Sequence, residues 1–151
     1  MNPIINAYAT LAIALILTVG IASNRSQAQE SKKIVFTEAQ KKEMEDVLIE
    51  NSKKINKGLP IMVDAETRLD TTIAIGMQMH YKNTMVNLQS DQIDKESFSK
   101  NMKDTLTKNY KSDKNIMLMM RAGLVCFYNY FDKNGALIAQ IRIDGPSCGI
   151  K

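Results

Sequence analysis

The apolar residues of this chain fall into three patterns: an unbroken block, a helical stripe and a strict alternation. The block comes first. No charged side chain lies between Met1 and Asn24, and Ile4 to Ala22 is almost continuously apolar. A helix over that stretch rises about 28 Å, enough to cross a hydrocarbon core. The spacing fits a cleaved secretory signal, with small residues at Ser26 and Ala28 preceding Gln29. The competing reading is an uncleaved anchor that touches the membrane only through residues 4–22. Arg25, Lys32 and Lys33 follow the block and none precedes it. Taken alone, the positive-inside rule would reverse that anchor. We prefer export with cleavage, giving a protein that is periplasmic or held at the inner membrane facing the periplasm. No Cys follows the block to accept a lipid.

After a short polar tether over residues 29–35, Thr37-Glu38-Ala39-Gln40 has capping-box form. Met44, Val47, Leu48 and Ile55 then share one helical face, and Gly58-Leu59-Pro60 predicts a left-handed stop at Gly58. Alternation begins next: Leu69, Thr71, Ile73, Ile75, Met77, Met79 and Tyr81 occupy one register, which predicts a strand with that face buried. So long a run needs a break, and Gly76 supplies it, giving a hairpin with arms Thr67–Ile75 and Met77–Leu88.

Asp94 reads as the N-cap of a second helix, stapled by Ile93 and Phe98. Phe98, Met102, Leu106 and Tyr110 continue its stripe. Ser112-Asp113 bends or restarts it, and Gly123 ends it. Two apolar runs, Leu124–Phe131 and Ala136–Asp144, flank Asn134-Gly135, a hairpin signal. The order α-ββ-α(α)-ββ predicts an α+β domain over residues 36–148. Its antiparallel sheet has about four strands in two hairpins, packed on two or three helices.

Composition narrows the chemistry. One His, two Cys and no Trp in 151 residues exclude a zinc ribbon and any scheme that needs two histidines. A formal charge of +4, with Lys and acids interspersed, gives no nucleic-acid footprint. Asp64, Glu66 and Asp70 cluster around Arg68. They offer acid–base chemistry together with His80, or a surface pairing of Arg68 with a carboxylate, the preferred reading. Met77, Met79 and Met85 beside His80 offer copper(I) ligands or an adaptable apolar groove for a peptide, but the same positions carry the buried periodicity, so core filling is preferred over metal and the groove stays open. No cofactor is expected.

Cys126 and Cys148 are candidates for a disulfide, worth about 3 kcal/mol by loop closure. If Lys133-Asn134 centres the last turn, Cys126 faces about Ile141, and the tail must reverse at Gly145-Pro146 for Cys148 to approach.

The pattern Leu59-Pro60…Asp64…Glu66-Thr67-Arg68-Leu69-Asp70…Gly76…Tyr81, then Gly123…Tyr128…Tyr130…Asp132…Gly135 and Cys148, resembles a loose group of small uncharacterised bacterial envelope proteins. The resemblance spans Phe36 to Cys148 and implies an exported α+β domain, with no activity or site residues. Together with the leader, it leads to a non-enzymatic domain that binds another envelope protein, as an immunity protein, inhibitor or assembly factor does. A carboxylate-dependent enzyme using Asp64, Glu66 or Asp70 with His80 is the alternative, and a methionine-rich metal-binding protein is the third reading.

Overall fold

The structure, a computed structural model, describes residues 35–151. The apolar block, the cleavage site and most of the tether lie outside the described residues. Among the described residues no helix is long and apolar enough to cross a membrane.

Helix α1 (Glu38–Asn56) starts at the expected capping box: Thr37 Oγ1 accepts from Gln40 N (3.2 Å) and Gln40 Oε1 from Thr37 N (2.9 Å). Leu48, Ser52 and Ile55 form its buried stripe. Its end differs from expectation, because the C-cap is Lys57 in right-handed conformation and Gly58 has no positive φ. Strand β1 (Ile61–Met62) follows, then β2 (Thr67–Ile75) and β3 (Gln78–Met85). The arm Thr67–Ile75 matches its expected bounds, and Gly76 (φ 54°) turns the hairpin.

Helix α2 (Lys95–Ser112) is capped by Asp94, whose carboxylate accepts from Glu96 N and Ser97 N. Asp113 does resume the helix: it accepts from Asn115 N and Ile116 N to start α3 (Lys114–Ala122), which Gly123 ends at φ 108°. Strands β4 (Val125–Asp132) and β5 (Leu137–Ile143) complete the fold.

The sheet departs from two separate antiparallel hairpins. Its five strands run in the order β1-β2-β3-β4-β5, and the central β3–β4 pair is parallel, so the sheet is mixed. The two hairpins are present, but the parallel seam joins them, with α2 and α3 spanning the connection. The fifth strand is β1, two residues on the edge of β2. A two-residue strand leaves no periodicity to read.

One bulge changes which side chains are buried. Leu69 pairs with Asn83 and Thr71 with Lys82, leaving Asp70 as the extra residue. Asp70 is drawn outward by Arg68 Nε and by Thr84 Oγ1, which donates to its Oδ2 at 2.6 Å. The face expected to be continuous therefore switches. Leu69, Met79 and Tyr81 point into the core, whereas Ile73 and Ile75 are 53% and 62% exposed. Thr72 takes the inward place, fully buried opposite Tyr81.

All three helices of the described residues pack on that inner face. Leu48 and Ile55 from α1, Met102, Leu106 and Tyr110 from α2, and Ile116, Met119 and Met120 from α3 meet Tyr81, Cys126, Tyr128, Tyr130, Ile141 and Ile143. At the C-terminus of α1, Asn56 Nδ2 donates to Thr72 O and Asn56 Oδ1 accepts from Thr72 N, both at 2.8 Å. A side chain thus takes the place of a neighbouring strand where β1 stops.

The last turn also differs in register. Asp132 Oδ1 accepts from Asn134 N and Ala136 N, and only Gly135 (φ 84°) uses a positive φ. With a bulge at Tyr130/Phe131, Cys126 faces Ile143 rather than Ile141. Cys148, in a single 3-10 turn (Pro146–Cys148), is buried as well. The candidate disulfide is absent: Cys126 and Cys148 are free thiols. Burial pushes the Cys126 thiol up to about 12 and raises Cys148 too. Both act here as small apolar side chains.

Candidate functional site

The sequence-derived candidates do not converge. Asp64 Oδ1 accepts from Glu66 N (2.6 Å) and Thr67 N (3.0 Å), which shapes the turn into β2. Glu66 flanks that turn, and its carbonyl accepts from Val86 N. Arg68 pairs with Asp70, which Thr84 also holds. His80 Nε2 lies 3.3 Å from Gln78 Oε1, and its ring stacks on Phe127. It bonds none of the three acids. Met79 and Met85 are buried on the inner face, while His80 lies on the outer one, so thioethers and imidazole do not meet at one point. Among the described residues no group of three or more His, Cys, Asp or Glu is placed to hold a metal ion.

What the fold does assemble is the outer face of the sheet. Two rows cross four strands in register: Ile73–His80–Phe127–Arg142 and Thr71–Lys82–Asn129–Gln140. The rings of His80 and Phe127 stack at 4.7 Å with planes 14° apart. Lys82 Nζ stands 5.4 Å from the Phe131 centroid, over the ring. Asn129 Oδ1 accepts from Gln140 Nε2 at 2.7 Å. Ile73, Ile75 and Phe131, with Thr71, His80, Lys82 and Asn129, bound a shallow trough of about 280 Å³. Leu137, 50% exposed, extends the apolar surface toward β5. No helix among the described residues covers this face.

Contiguous apolar surface of this kind, rimmed by polar side chains, marks interaction sites more often than reaction sites. The alternating pattern hides it by placing Ile73 and Ile75 in the core register. The signal lay in Leu124–Phe131, where Phe127 and Phe131 alternate with Cys126, Tyr128 and Tyr130. A strand apolar in both registers has two faces to cover.

No protein-family model matches the chain, and no curated protein sequence matches it. Solved structures do share its fold. A Pseudomonas aeruginosa protein described as secreted superposes with a TM-score of 0.59 at 16% identity, over 72% of this chain and 95% of that one. The type 2 secretion system pilotin of Vibrio vulnificus gives 0.53 at 15% identity, covering 72% and 94%. The type II secretion system pilotin of Vibrio cholerae gives 0.55 at 14% identity, covering 73% and 97%. At these identities the likeness concerns the fold.

Proposed function

We propose that this chain is a non-enzymatic, exported domain of the assembly-factor type, which docks another envelope protein on the outer face of its sheet. The observation that carries the reading is the apolar surface that no described helix covers: Ile73, Ile75 and Leu137 are exposed, with half-buried Phe127 and Phe131 among them. Leaving it bare exposes to water side chains that the rest of the fold buries. Three further points support the reading. Asp64 and Asp70 of the enzyme alternative are engaged in turn and bulge geometry, and His80 bonds neither them nor Glu66. The leader has the composition of an export segment. The fold is shared with two pilotins and a protein described as secreted.

Site-specific photocrosslinking in intact envelopes tests it. A crosslinker at Ile73 should give one dominant adduct with another protein, and the same group at Glu43, on the exposed side of α1, should give none. Equal yields from the two positions would defeat the proposal. The N-terminal peptide from the same sample, beginning at Gln29, would establish cleavage.

A further inference from the structure

The outer face carries fixed charge that it does not balance by itself. Its acids are already matched: Asp70 by Arg68 and Thr84, and Asp144 by Arg142 (2.9 Å) and the Ser147 hydroxyl (2.6 Å). Asn129 and Gln140 satisfy each other. Lys82, on the central strand and beside the trough, has no carboxylate within ion-pair distance among the described residues; its ammonium rests over Phe131. In water this arrangement is comfortable. Once a partner covers the trough, the ammonium loses solvent, and an unpaired buried charge is strongly unfavourable. A partner that supplies the missing anion closes over the apolar residues on either side at the least cost.

Resting on the docking face argued above, we propose that the partner presents an acidic, apolar polypeptide segment. An Asp or Glu carboxylate pairs with Lys82, and an adjacent Leu, Ile or Phe side chain enters the trough between Ile73 and Phe131. The charge sets which partner is accepted, and the apolar contact supplies most of the affinity.

The probe is an array of octapeptides containing Leu or Phe, each made in matched Glu, Gln and Lys versions. Binding to the full chain is measured by fluorescence polarisation, with thermal unfolding confirming that every variant is folded. Glu versions should bind about tenfold tighter than Gln versions. Lys82→Gln should erase that gap, and Lys82→Glu should shift the preference to the Lys versions. Equal binding of Glu and Gln versions, with Ile73→Asp still abolishing both, overturns the acidic partner and leaves the docking face standing. Binding that survives Ile73→Asp overturns both, as does no binding by any peptide. A self-association seen in sedimentation and dissolved by Ile73→Asp would assign the face to a second copy, and the acidic segment would be wrong.

Discussion

The strand pair β3–β4 carries the same ring-on-ring contact twice, once on each face. Inside, Tyr81 stacks on Tyr128 at 4.6 Å with planes 9° apart; outside, His80 stacks on Phe127 at 4.7 Å and 14°. The local geometry is the same because parallel register sets both pairs side by side. The surroundings differ. Tyr128 is 3% exposed beneath α2, where its hydroxyl meets that of Tyr110 at 2.6 Å, whereas no helix among the described residues lies above the His80–Phe127 pair. Identical stacking therefore serves packing on one side and remains available for contact on the other. What separates core from surface here is the presence of a helical layer, not the chemistry of the rings.

That contrast makes graded predictions. Tyr128→Ala should cost roughly 3–5 kcal/mol in urea unfolding, as for other large core aromatics, while Phe127→Ala should cost about 1 kcal/mol. Equal losses would erase the distinction between the faces. Asn56→Ala, which removes both bonds to the Thr72 backbone beside the bulge, should cost about 1–3 kcal/mol. A negligible loss would mean that the bulge, and with it the outward turn of Ile73, is held by other contacts.

The inner face should also show itself through pH. Burial holds the Cys126 thiol and the phenols of Tyr81, Tyr110 and Tyr128 protonated well beyond their ordinary ranges. The unfolded chain releases those protons first, so stability should fall as pH rises above about 9. At the acid end the sign reverses. The Ser147 hydroxyl holds Asp144 below the usual carboxylate range. Burial pushes Asp132 upward, but the N–H groups of Ala136, Ser90 and Asn134 prevail and hold it low as well. Their contribution is intact above about pH 4 and disappears as pH drops through the lowered values. A double Asp132→Asn, Asp144→Asn variant should lose that acid dependence, read as the urea midpoint against pH. Smaller still, Ile73→Ser should shift stability by no more than about 0.5 kcal/mol. Dithiothreitol should not move the unfolding midpoint, because Cys126 and Cys148 are free.

The features legible in the sequence were those decided within a few residues. Thr37 with Gln40, Asp94, Asp113 and Gly123 each cap a helix through neighbours no more than five positions away, so local chemistry suffices to place them. The hairpin reversals at Gly76 and Gly135 are equally local. What escaped depended on partners distant in the chain. The bulged Asp70 is held by Thr84 across the hairpin, and Thr72 beyond it by Asn56 at the end of a helix; neither partner is visible in an alternating pattern. The parallel seam escaped for the same reason, since hairpin signals say which strands reverse but not which hairpins meet. The candidate acids are conspicuous as a cluster, yet Asp64 and Asp70 shape the backbone around β2 and the Glu66 side chain joins neither of them. The open face is hidden by an alternation that places Ile73 and Ile75 inward.

The seam at the middle of the sheet has a consequence for synthesis. Gln78 lies beside Val125, and Met85 beside Asp132, so each pair along β3–β4 closes a loop of 47 positions. The upstream hairpin and the first helix can meet early, yet β3 has a bare inner edge until the last strands emerge. A chain cut short before Val125 would carry that edge ready to pair with whatever strand came near. Completion of the polypeptide, more than any single contact, protects this fold from aggregation.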